Sequence, residues 1–126
     1  MPLLLWFTFI GSALLILLLG LPMGLGMVPP NAIYGVRLPI TIRNRPAWDA
    51  ANVHYGWWMV VSGGLSLSAF FLCVLLGCTV DTTAAVYVIV MMLPLMGGVP
   101  FSIHAAMKAE HVSDAASDGS SDDHPN

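Results

Sequence analysis

Charge is what this chain has least of. Of 126 residues only four are Lys or Arg and seven are Asp or Glu, while 57% are hydrophobic. Soluble domains carry about 25% charged residues, so a 9% share excludes an ordinary soluble fold and points to an integral membrane protein. Four basic side chains are also too few for a nucleic-acid surface, and no nucleic-acid partner is expected. Cysteine is nearly as scarce. Cys73 and Cys78 stand five positions apart, which on a single helix puts them on different faces, so neither a disulfide nor a thiolate metal site is expected. Carboxylates are missing from the apolar runs, which removes the usual means of coupling an ion to transport. Asp49 and His54 make the one plausible acid–base pair, and their spacing does not share a helical face. The expectation is therefore no catalytic residue, no metal site and no cofactor.

What is present are long stretches without charge. Asp, Glu, Lys and Arg are absent from Pro2 to Val36, from Ala50 to Val80 and from Thr82 to Met107, with His54 and His104 the titratable exceptions. Each stretch exceeds the roughly 20 residues that cross about 30 Å of hydrocarbon as a helix. The predicted fold is all-α, with three transmembrane helices at about 3–27, 55–78 and 83–106 in one domain, 1–108. The first run has no basic leader and no small-x-small site before its Pro-rich end, so it reads as a span rather than a cleaved signal peptide. Three crossings put the connection 29–54 on the same side as the C-terminus, and Arg37, Arg43, Arg45 and Lys108 all fall there. Basic residues accumulate on the cytoplasmic side, which predicts an outside N-terminus, a cytoplasmic connection, a short outer turn at Thr79 to Asp81 and a cytoplasmic tail.

After Lys108 the sequence turns to EHVSDAASDGSSDDHPN, acidic, Ser-rich and free of aromatics. It holds too little apolar area to offset its ordering entropy, so 109–126 is expected to be a disordered acidic tail. In the second span Ser62, Ser66, Ala69, Cys73 and Gly77 recur at three- and four-residue steps. Such a stripe lets helices approach closely in lipid and is expected to pack either within the protomer or between copies. Gly20 and Gly24 form a weaker pair of the same kind. Pro94 and Pro100 flank Gly97 and Gly98 in the third span, which predicts a kink or break.

Most of the specific chemistry lies in one connection, PPNAIYGVRLPITIRNRPAWDAANVHYG, from Pro29 to Gly56. The two prolines stop the first helix, and Asn31 with Gly35 supplies turn geometry. Arg37 is the first charge after the long apolar run, so it emerges at headgroup depth, where its planar fork suits a phosphate, a carboxylate or helix C-terminal carbonyls. Leu38 to Ile42 is expected to lie along the interface. Pro46 suits the first turn of a helix, so a short interfacial helix is predicted from there, with Trp48, Asn52 and Tyr55 or Gly56 on one face and Arg45 able to pair with Asp49. This helix runs into the second span or bends at Gly56. The bland explanation is that Tyr34, Trp48, Tyr55, Trp57 and Trp58 form an aromatic belt and the arginines set topology. That explanation suffices for residues 55, 57 and 58, but topology has no use for Asn31, Gly35, Asn44 and Asn52 at fixed offsets.

This constellation resembles the signature of the SdpI family of small bacterial membrane proteins, approximately PN-x-x-Y-G-x-R-x-P-x-T, then N-x-x-x-W, then an Asn or His and a Gly. The residues carrying the resemblance are Pro30, Asn31, Tyr34, Gly35, Arg37, Pro39, Thr41, Asn44, Trp48, Asn52 and Gly56. Arg45 stands where that pattern usually has an acidic residue. The resemblance implies a bacterial inner-membrane protein, in a family whose name-giving members protect the producing cell from a secreted peptide toxin and signal to a cytoplasmic regulator. The expectation is therefore a non-enzymatic immunity or signalling protein, with membrane lipids, a peptide toxin and a cytoplasmic regulator as partners. The alternative is an accessory subunit of a larger membrane complex or a homo-oligomer, and a small transporter or lipid-handling protein stands third.

Overall fold

A computed structural model of the chain describes residues 2–119 and is helical wherever it is regular, with no strand among the described residues. Helix α1 spans Leu3–Gly24, α2 Pro39–Arg43, α3 Arg45–Leu75 and α4 Val80–Gly119. Three of them, α1, α3 and α4, are long and apolar enough to cross a membrane. At about 1.5 Å per residue, α1 matches the hydrocarbon thickness, while α3 and α4 are about 46 and 60 Å long and extend beyond it.

α1 forms on a leucine-rich run that carries Pro22, with no amide to give the ladder, only near its C-terminal end, and its polar side chains are satisfied locally. Thr8 donates to the Leu4 carbonyl at 2.9 Å and Ser12 to the Thr8 carbonyl at 2.8 Å, as lipid requires. The helix ends where Gly26, at φ 69°, enters the left-handed region. There the Gly26 and Met27 amides donate to the Met23 and Pro22 carbonyls, a Schellman cap. α3 ends the same way. Gly77 has φ 66°, and the amides of Gly77 and Cys78 donate to the carbonyls of Val74 and Cys73.

That second cap corrects two expectations. Gly77 does not extend the small-residue stripe, because it is the left-handed residue that terminates α3. Cys78 lies past the helix, so the two free cysteines are joined by a backbone bond across the cap rather than displayed on two faces of one span.

α3 is the middle helix, and both α1 and α4 pack along it. The α1 crossing is close because it is built from glycine. A Cβ on Gly56 would run into the Gly24 amide nitrogen and Met23, and one on Gly20 would lie 2.7 Å from the Met59 Cβ. Ser62, Ser66 and Cys73 of the predicted stripe are buried, while Ala69 is half-buried. Ser62 donates to the Met91 carbonyl of α4 at 2.6 Å, so this part of the stripe packs within the protomer. Pro94 and Pro100 both lie inside α4, which continues through them as helix, so of the expected kink or break the break does not occur.

The two ends of the bundle differ. At the end holding the N-terminus of α1, Phe9, Ala13, Phe70 and Tyr87 form the core. The Tyr87 hydroxyl donates to the Phe9 carbonyl at 2.8 Å. At the other end Ala47, Ala51 and Ala106 bring α3 and α4 together beneath Val36 and Ile40 of the connection. Helix also extends where the composition predicted disorder. α4 continues through residues 109–119, and the rest of the expected tail, 120–126, lies outside the described residues.

Candidate functional site

The connection between α1 and α3 is folded by its own amides. Asn31 Oδ1 accepts from the amides of Ile33 at 2.9 Å and Tyr34 at 2.8 Å, while its Nδ2 donates to the Pro29 carbonyl at 2.9 Å. This closes a turn straight after the proline pair, since an asparagine side chain can mimic a backbone turn. The Tyr34 hydroxyl reaches back to the Leu19 carbonyl of α1. Burial pushes the Tyr34 phenol above its ordinary range, so it stays protonated and keeps that donor.

From the α3 side, Asn52 performs the equivalent task. It is 2% exposed, its Oδ1 accepts from the Val36 amide at 2.7 Å, and its Nδ2 donates to the Trp48 carbonyl at 2.8 Å. Trp48 is fully buried, and its indole N–H donates to the Val28 carbonyl at 3.0 Å. Gly35 passes directly over these two side chains. Its φ is 119°, and a Cβ there would sit 2.5 Å from Asn52 Oδ1 and 3.0 Å from the Trp48 ring. Only glycine combines that backbone conformation with that approach.

Thr41 and Asn44 fix the second half. The Thr41 hydroxyl is buried, donates to the Val36 carbonyl at 2.8 Å and accepts from the Leu38 amide at 2.8 Å. It thereby shapes the start of α2, with Pro39 in the first turn. The sequence predicted only a segment lying along the interface here. Asn44 is the N-cap of α3, accepting from the Ala47 amide at 3.2 Å. The helix expected near Pro46 is thus the first turns of α3 itself, which continues through Gly56 into the second span. Trp48, Asn52 and Gly56 share its buried face as the spacing implied, and Arg45 pairs with Asp49 at 3.9 Å in an exposed position.

The sequence motif therefore divides by role. Pro30, Asn31, Tyr34, Gly35, Pro39, Thr41, Asn44, Trp48, Asn52 and Gly56 build the connection and its seat on the bundle. Arg37 remains exposed. One of its Nη groups donates to the Ala32 carbonyl at 2.8 Å, and its Nε and second Nη have no partner among the described residues. That single internal bond steadies the guanidinium while leaving part of its fork open to an external acceptor.

The model of the SdpI/YfhL protein family matches residues 27–102, more than half of the chain. The chain belongs to the SdpI/YfhL family. The match starts at the residue that completes the α1 cap, takes in the whole connection and α3, and stops within α4. It leaves α1 outside. No curated protein and no solved structure matches the chain.

Proposed function

We propose that this SdpI/YfhL protein is a non-enzymatic immunity and signalling protein of the bacterial inner membrane. In this reading the connection 29–54 faces the cytoplasm and Arg37 is its contact residue. The observation that supports it is the division of labour just described: ten motif residues are spent on structure around one exposed guanidinium. A network that holds a short connection this firmly suits a surface recognised by shape as well as charge. A membrane-active peptide toxin would be met by the spans, and a cytoplasmic regulator or an anionic group by Arg37.

The test is survival of cells that express the wild type, Arg37→Ala or Arg37→Lys during exposure to membrane-active peptides secreted by the native host. Protection lost in Arg37→Ala at equal membrane abundance is the expected result. Equal survival at equal abundance would sink the assignment of the connection. The alternative, a subunit of a larger assembly, drew on the small-residue stripe, and Ser62 and Ser66 of that stripe already pack inside the protomer. A mass measurement in gentle detergent separates the two readings.

A further inference from the structure

The arginine-bearing end also holds a groove that the motif does not use. It has a volume of about 690 Å³ and runs between α3 and the C-terminal half of α4, with His54, Phe101, His104 and Lys108 among its walls. A second, apolar groove of about 370 Å³ adjoins it at His54, lined by Val53, Trp57, Trp58 and Val61. The Trp58 and Phe101 rings stack at 5.5 Å and 22°, so the two grooves also meet through their aromatic surfaces.

Depth and charge identify the occupant. Residues 55–75 of α3 and 83–103 of α4 each span about 31 Å at 1.5 Å per residue, the thickness of the hydrocarbon layer. His54 and His104 are the first residues beyond those stretches, on facing helices, and Lys108 lies one turn further out. All three are exposed, and all three line the same groove, at the depth that this placement of the hydrocarbon layer assigns to lipid phosphates. No carboxylate lines either groove. Of the described acidic groups at this end, Asp49 is paired with Arg45, and Glu110, Asp114 and Asp118 lie off the walls. Lys108 supplies an ammonium group with three donors and the two imidazoles supply ring N–H donors. Below them the walls turn wholly apolar, which excludes a free polar anion as the best fit and suits a molecule with a charged head and a hydrocarbon chain.

We propose that these grooves form a binding site for one anionic phospholipid of the surrounding bilayer. Its phosphodiester is held by Lys108, His54 and His104, and one acyl chain lies along Val53, Trp57 and Val61. The site is separate from Arg37 and stands whether or not the chain confers immunity.

The test uses the full chain in gentle detergent, titrated with phosphatidylglycerol or phosphatidylcholine, with bound lipids counted by native mass spectrometry. One phosphatidylglycerol should be retained in preference to phosphatidylcholine by roughly tenfold, as charge-assisted contacts to a phosphate allow. The combined variant His54→Gln, His104→Gln, Lys108→Ala should abolish the preference. Because these positions are exposed, the fold should survive, and the single charge reversal Lys108→Glu gives an independent check. Arg43→Gln with Arg45→Gln should leave the preference intact. Equal retention of the two lipids would overturn the proposal. So would an equal loss in the arginine variant, which would mean diffuse interfacial charge, or displacement of the lipid by inorganic phosphate, which would mean a free-anion site.

Discussion

Asn52 and Arg37 lie on the same connection and should respond to substitution in opposite ways. Asn52→Ala leaves the half-buried Val36 amide without its acceptor, a loss of about 1–3 kcal/mol. Arg37→Ala removes one exposed bond to Ala32 and should change stability by less than about 1 kcal/mol. Thermal unfolding in detergent, followed by loss of monodispersity, measures both, and a destabilisation by Arg37→Ala as large as that by Asn52→Ala would show that Arg37 is structural too. The sequence marked both residues as unusual for a membrane connection, and that much was legible because topology explains charge but not amides. Their separate roles were not legible. An amide that closes a turn and one that meets a ligand have the same composition, and only the 2.7 Å contact between Asn52 and an amide sixteen positions earlier tells them apart. The groove histidines were missed for a related reason: 54 and 104 are fifty residues apart, and the signal available was that each stands at the end of a charge-free run.

At the scale of elements, helix ends decided what periodicity alone read wrongly. Gly77 matched the spacing of a packing stripe, yet its φ of 66° makes it the cap of α3. Gly77→Ala should therefore lower the thermal midpoint, since a left-handed non-glycine residue costs roughly 1–2 kcal/mol. Ala69→Gly, at a half-buried stripe position inside the helix, should instead show the interior glycine penalty of about 1 kcal/mol. A neutral Gly77→Ala would mean that the cap is not formed. The three long helices were legible because runs without charge are long and few physical solutions exist for them in lipid. The continuity of α4 was not, since Pro94 and Pro100 remove backbone donors without dictating whether neighbours hold the helix together. The extension of α4 past Lys108 was equally hidden, because composition reports on burial and not on a helix carried outward from a packed segment.

The described residues form a bundle with unlike ends, an aromatic core at one and basic side chains beside a groove at the other. With the grooved end cytoplasmic, as proposed, Cys78 lies on the outer side, half-buried just past the α3 cap. In a Cys73→Ala background, a membrane-impermeant maleimide added to intact spheroplasts should label Cys78. Labelling seen only after lysis would reverse the orientation and with it the placement of Arg37.

Gly56 belongs to the family motif, yet the backbone it makes room for, at Met23 and Gly24, belongs to α1, which the family match leaves out. A relative that keeps glycine at this position should then carry a preceding helix with its own small residue to mesh there, however different the rest of that helix has become. One that lacks such a helix is free to fill the notch with a side chain. The motif glycine thus records, in the side chain it lacks, how closely the neighbouring helix passes.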